Sequence, residues 1–258
     1  MPVGVEKFRI RANEVDFRHL LTVPALVNFL QETAMYNIGA IGLPMHVIHA
    51  QDLGWALSRM YLKIDQYPKE TEEICVETCA RQFDKYYAYR DFRVYNQNQE
   101  LIATAATIWL LFDLTKRQLI AIPDFVKSSV EFCTEREPLQ ISKDKIPIMK
   151  EASFQNNLQV KWHDLDMNRH VNNVLYFQWA LDALSEETLN YFTMSEIDII
   201  FRNECRIGEK ITSQVGEIHG EDDTEQTNKT FIHRIVKDAD HKEVIQAQTK
   251  WKKLEIMP

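Results

Sequence analysis

Residues 162–179 read W-H-D-L-D-M-N-R-H-V-N-N-V-L-Y-F-Q-W. Six polar side chains, Asp164, Asp166, Asn168, His170, Asn172 and Asn173, run directly into an apolar, aromatic segment. Asp166, Asn168 and His170 alternate with period two, so an extended segment would point all three to one side. Asn172 and Asn173 can accept hydrogen bonds from the free amides of a following helix. Desolvating such a cluster beside a buried helix is costly unless the polar groups do something. The plain alternative is a polar loop with an ordinary helix cap.

A related order of features occurs earlier in the chain. In E-V-D-F-R-H-L-L-T-V-P, residues 14–24, Thr22 is a helix cap and Pro24 a first-turn residue. Ala25, Leu26, Phe29, Leu30, Thr33 and Ala34 recur at three and four, which predicts a helix with one buried face. Gly39 and Gly42 punctuate its end. Residues 7–11 alternate as a short strand, and 55–67, 72–82, 86–95 and 101–113 read as longer ones. Tyr67-Pro68-Lys69-Glu70 and N-Q-N-Q-E at 96–100 supply turns. The segment 115–150, with Pro123, Pro138 and Pro147, reads as a linker carrying one short helix around 123–130. Strands are then expected at 194–205, 210–219, 228–237 and 243–253.

The second half repeats the first. Shifted by 150, Asp16 falls on Asp166, Asn28 on Gln178, Phe29 on Trp179 and Glu32 on Asp182. Thr107 and Trp109 similarly match Thr249 and Trp251. A long helix followed by an antiparallel sheet that can wrap it is a two-layer α+β unit, here written twice: 1–114, then the linker 115–150, then 151–258. Where the second copy has Asn168 and His170, the first has Arg18 and Leu20; where it has Glu204 and Cys205, the first has Tyr67 and Pro68. The polar cluster is therefore additional to the scaffold, which places a functional site in the second half.

Within that cluster His170 is the side chain able to move a proton near neutral pH. Asn168 can orient it or donate to an oxyanion. Asp166 can orient the imidazole, act as a base or attack a carbonyl. The start of the helix after Asn172 offers free amides and a positive dipole end. Glu204 and Cys205 are neighbours at the end of a predicted strand, so without a bulge they face opposite ways and only one can enter a pocket. Tyr176, Phe177 and Trp179 read as a core-facing helix surface.

A chain of 258 residues is long enough for two modest domains, and its 45% hydrophobic content is that of a globular protein. No apolar run is long enough to span a bilayer. The N-terminal M-P-V-G-V-E-K-F-R-I-R lacks a signal-peptide core and transit-peptide bias, which reads as cytosolic. The net charge of −8 argues against general nucleic-acid binding. The four cysteines, Cys75, Cys79, Cys133 and Cys205, do not form a secreted-type disulfide framework. Cys75 and Cys79 share parity within a strand and read as neighbours on one sheet face. His46 and His49 have helical metal-ligand spacing without a carboxylate or cysteine partner, so no metal is expected. No phosphate loop, nucleophile elbow or dinucleotide fingerprint occurs.

The motif D-L-D-M-N-R-H-V-N-N-V-L-Y-F-Q-W at 164–179, followed by F-R-N-E-C at 201–205, resembles the fatty acyl–acyl carrier protein thioesterases of plant plastids and bacteria. N-F-L-Q-E-T-A at 28–34 and L-G-W-A-L-S-R-M-Y-L-K-I-D-Q-Y-P at 53–68 are similar to that family as well. The resemblance covers nearly the whole chain. It implies a tandem hot-dog fold, two helices each wrapped by an antiparallel sheet, and hydrolysis of the acyl thioester to free fatty acid and holo carrier protein without a cofactor. Asp166, Asn168 and His170 match the family's catalytic aspartate, asparagine and histidine, and Glu204 and Cys205 its Glu-Cys pair. The attacking group is taken to be the cysteine, the aspartate or a glutamate-activated water. The first half is taken to hold the acyl chain. Since plant members carry a transit peptide, a bacterial cytosolic enzyme is expected. The other readings are a thioesterase acting on coenzyme A esters, a dehydratase, and a non-catalytic acyl-thioester sensor.

Carrier proteins are acidic, so a chain of this charge needs a local basic face. Lys161, Arg169, Arg206, Lys210, Lys252 and Lys253 are candidates by their nearness in sequence to the cluster. Two fused units can supply within one chain the pairing that single units need, and a homodimer stays open.

Overall fold

Thr22 opens a helix, α1 (Val23–Ala40), by accepting a hydrogen bond from the amide of Ala25 at 3.3 Å, with Pro24 in the first turn. Leu26, Phe29, Leu30, Thr33, Ala34 and Asn37 form its buried face, at the predicted spacing. The buried Thr33 hydroxyl is satisfied by the carbonyl of Phe29 one turn back, at 2.8 Å. In the computed structural model, residues 2–142, 144–166, 169–218 and 227–254 are described. The chain divides into two units, 1–142 and 143–258.

In the first unit α1 packs on an antiparallel sheet of β1 (Val3–Arg9), β2 (Leu53–Ile64), β3 (Glu73–Phe83), β4 (Tyr87–Tyr95) and β5 (Leu101–Asp113), in the order β1-β3-β4-β5-β2. A short β6 (Gln118–Ile120) lies on β5. Phe8 of β1 stacks on Phe29 of α1 with ring centroids 4.4 Å apart. Ile74 and Val76 of β3 and Phe92 and Val94 of β4 are buried at alternate positions. A short α2 (Met45–His49) carries His46 and His49. The helix expected around 123–130 forms as α3 (Asp124–Ser129). On β3, Arg81 pairs with Asp91 at 3.0 Å, both buried, and also donates to the carbonyl of Cys133, so the segment after α3 is strapped to the sheet.

The second unit repeats this plan with β7 (Phe154–Gln159), α4 (Asn173–Leu181), α5 (Glu186–Tyr191), β8 (Phe192–Phe201), β9 (Lys210–Ile218), β10 (Asn228–Lys237) and β11 (Glu243–Lys253), ordered β8-β11-β10-β9-β7. β7 on β9 corresponds to β1 on β3, and α4 packs on β9 and β10. The central helix has 9 residues against 18 in the first unit, because Ser185 caps a new helix by accepting from the amide of Thr188. No helix among the described residues is long and apolar enough to cross a membrane.

The end of α4 is held by the sheet beneath it. The last carbonyls of a helix have no partners within it. Here Ser213 donates to the carbonyl of Trp179 at 2.8 Å, and His233 Nδ1 lies 3.0 Å from that of Ala180. A carbonyl only accepts, so Nδ1 carries the proton and Nε2 accepts from the Thr249 hydroxyl at 2.8 Å. That hydroxyl oxygen in turn accepts from the Trp251 indole. Burial therefore keeps His233 neutral and pushes its pKa down to about 4. A depressed imidazole pKa stabilises the fold above the unfolded value of about 6.5, and this contribution is lost as pH falls through the folded value.

We expect the wild type to lose about 2–3 kcal/mol more stability than His233→Phe between pH 7 and pH 4.5, measured by urea unfolding. Parallel pH curves would contradict the neutral, doubly bonded imidazole. Gly216 of β9 supplies a second test. A Cβ there would lie 2.4 Å from the backbone oxygen of Glu151. Gly216→Ala is therefore expected to cost about 1–3 kcal/mol, read as a lowered Tm.

Candidate active site

Backbone contacts tie Asp166, Arg169 and His170 to one another rather than spacing them along the extended segment that the alternation suggests. The amide of Asp166 donates to the carbonyl of His170 at 2.8 Å, the amide of Arg169 returns to the carbonyl of Asp166 at 3.0 Å, and Leu165 bridges Val171. Arg169 takes the left-handed conformation, φ 61°, which nothing in its residue type signals. Asp166 Oδ1 closes the turn by accepting from the amide of His170 at 3.1 Å. Asn172 then caps α4, its side chain accepting from the amide of Val174 at 3.1 Å. Asn168 lies outside the described residues.

The first unit contains the same turn without the histidine. Asp16 Oδ1 accepts from the amides of Arg18 and Leu20, His19 has φ 59°, and Val15 bridges Leu21. The Arg18 guanidinium folds back onto Asp16 Oδ2 at 2.6 Å. Asp16 and Asp166 thus share a scaffold duty, the closing of a turn that delivers the chain to the central helix. What differs is the side chain presented four residues on: Leu20 in one unit, His170 in the other.

His170 Nε2 lies 3.5 Å from Glu204 Oε2, with the two side chains 38% and 53% exposed. Both are therefore accessible to a substrate, and together they can hold and pass a proton. Cys205 is 0% exposed, and burial pushes its thiol up to about 11. A thiol buried and raised in this way is a poor nucleophile. The structure thus brings His170 and Glu204 together, ties Asp166 to the backbone of His170, and buries Cys205. The strand parity used to separate Glu204 from Cys205 does not apply as expected, because β8 stops at Phe201. The amides of Arg202 and Asn203 both turn onto the carbonyl of Val244, at 2.9 and 3.3 Å, which takes the chain out of the ladder before Glu204.

Helix periodicity places Tyr176 on the core-facing surface of α4. Its ring is indeed buried, edge-on to Trp179 and Phe201 with centroids 5.5 and 5.9 Å away. Its hydroxyl, however, accepts from the amide of Cys205 at 3.1 Å. A buried phenol needs a polar partner, and this was the available signal. The candidate cations Lys161, Arg169, Arg206, Lys210, Lys252 and Lys253 are all exposed. His163 packs edge-on to Trp162, which is itself exposed.

Comparison with known proteins matches residues 3–129 to the acyl-ACP thioesterase N-terminal domain and 148–253 to the acyl-ACP thioesterase C-terminal domain. A palmitoyl-acyl carrier protein thioesterase of Cuphea hookeriana is 28% identical over 212 residues, covering 78% of this chain and 51% of the relative. Oleoyl-acyl carrier protein thioesterase 2 of Arabidopsis thaliana is 26% identical over 282 residues, covering 96% of this chain and 76% of the relative. The chain spans 51–63% of the length of the first curated relatives it matches. Among solved structures, the 12:0-ACP thioesterase from Umbellularia californica superposes with a TM-score of 0.87 at 22% identity, covering 98% of this chain and 94% of that one. An acyl-ACP thioesterase from Bacteroides thetaiotaomicron gives 0.84 at 20% identity, covering 97% and 98%. These superpositions share the double hot-dog fold. With both halves matched in order by the two domain models, the chain belongs to the acyl-ACP thioesterase family.

Proposed function

We propose that this chain hydrolyses the thioester of a fatty acyl–acyl carrier protein, releasing free fatty acid and holo-acyl carrier protein. The observation that carries this reading is the His170–Glu204 pair at 3.5 Å, present in the unit whose duplicate has Leu20 and Tyr67-Pro68 instead. Water attacks the thioester carbonyl and gives its proton to Glu204. The C–S bond breaks as His170 protonates the departing thiolate, and proton transfer between the paired side chains restores the site. Asn168 is assigned to the oxyanion through its amide, and the positive end of α4 favours the same charge. Asp166 holds the turn that presents His170. The second unit is thus the catalytic one, and the first is assigned to the acyl chain.

Burial of Cys205 supports a mechanism without a cysteine nucleophile. Glu204→Gln is expected to lower kcat by about 10²–10³-fold, whereas Cys205→Ala retains roughly a tenth of it or more. Loss of all turnover in Cys205→Ala, with the fold intact by circular dichroism, would reinstate the thiol as nucleophile.

The partner is an acidic carrier protein, met by the exposed Lys161, Arg169, Arg206 and Lys210 flanking the site residues in sequence. None of these four side chains is in an ion pair of 4.0 Å or less among the described residues. Thiol release is measured side by side on carrier-protein and coenzyme A esters of one acyl chain. The carrier-protein ester is expected to be the better substrate. Joint reversal of Lys161 and Arg206 to Glu should raise its KM about tenfold at low salt, with less effect at high salt. Equal turnover of the two esters, unaffected by charge reversal, would favour a coenzyme A thioesterase. Absence of turnover on both would favour a non-catalytic binding protein.

A further inference from the structure

Glu204 sits in an irregular segment, yet its side chain must be aimed at His170 for the pair to work. The residues on either side are each fixed to a different element. Before it, the amide of Asn203 turns onto the carbonyl of Val244, and its side-chain nitrogen donates to the carbonyl of Glu243 at 2.7 Å. After it, Cys205 is fully buried with its amide donating to Tyr176 Oη at 3.1 Å. Tyr176 stands on α4, whose start is set by the turn that carries His170. The remainder of the loop is fastened in turn. The amide of Arg206 bonds Glu209, and that of Gly208 bonds the carbonyl of Val160.

We infer that Asn203 and Tyr176 form a two-point clamp that aims Glu204 at His170, which makes both of them positioning residues. One contact runs from the Asn203 side-chain nitrogen to the carbonyl of Glu243, just before Glu204; the other runs from the Cys205 amide to the phenol oxygen, just after it. Because Tyr176 and His170 hang on the same turn-and-helix unit, the clamp fixes Glu204 relative to its partner and not merely to the core. The Cys205 thiol is a small, buried core group at this place. The rank of substitutions follows. Cys205→Ala keeps the amide contact, Asn203→Ala removes the first anchor, and Tyr176→Phe removes the second while leaving the ring packing in place.

The inference rests on the hydrolytic reading, and the test separates the two. Single-turnover thiol release from an acyl carrier protein ester is measured in the wild type and each variant, and again in the Glu204→Gln background. Tyr176→Phe is expected to lower kcat about tenfold with KM within twofold, Asn203→Ala to lower it about two- to fivefold, and Cys205→Ala, which keeps the amide contact, to stay closest to the wild type. In the Glu204→Gln background the same substitutions should change kcat by less than about twofold, because the carboxylate they aim is gone. A purely structural role for Tyr176 would reduce activity equally in both backgrounds, and that result would overturn the clamp. So would kcat within twofold of the wild type for Tyr176→Phe. If Tyr176→Phe does not fold, the Asn203→Ala cycle decides the matter by the same criterion. An inactive wild type would instead refute the hydrolytic reading.

Discussion

A carboxylate that accepts the backbone amide four residues downstream sets the entrance to both central helices. Asp16 and Asp166 each close a turn in this way, each with a left-handed residue just before its end. The bond is modest in energy, about 1–3 kcal/mol for a charge-assisted contact. Its geometric effect is larger, since it decides which side chain emerges at the fourth position and where the helix cap lies. Once the turn is closed, Asn172 caps α4, and α4 carries Tyr176 to the segment that holds Glu204. The proposed chemistry is thus hung on a scaffold contact that the first unit keeps without any chemistry of its own.

The duplication separates scaffold from site more sharply than either copy does alone. Thr107 accepts from Trp109 in the first unit as Thr249 does from Trp251 in the second, so that pair is structural. By register, Ala247 faces His233 where Ala105 faces Phe92. His233 therefore replaces an aromatic core residue and uses its ring nitrogens to hold the short helix α4 at its carbonyl end. Its complete burial and bonding explain why it serves the fold rather than the reaction. His170, half-exposed beside a carboxylate, has the opposite character.

Much of this was legible in the residues. Thr22 and Pro24 marked α1 because caps and first-turn prolines act locally, and β5, β10 and β11 occur at their expected limits because their apolar alternation is strong. β7 was not anticipated: F-Q-N-N-L-Q is a polar, largely exposed edge strand whose pairing comes from β9, not from its own composition. The alternation of Asp166 and His170 suggests an extended segment, whereas Asp166 accepts from the His170 amide and Arg169 takes a positive φ that its residue type does not signal. Strand parity points Glu204 and Cys205 opposite ways, but β8 ends at Phe201, so the burial of Cys205 beside a 53% exposed Glu204 side chain has another cause. Tyr176 was missed because helix periodicity describes a face and says nothing of a single hydroxyl at its edge.

The most direct measurement compares thiol release from an acyl carrier protein ester by the wild type, by His170→Ala and by Leu20→Ala, the same turn position in the first unit. Hydrolysis confined to the second unit predicts a loss of about 10²–10³-fold in kcat for His170→Ala and near-normal turnover for Leu20→Ala. Unchanged turnover in His170→Ala would contradict it.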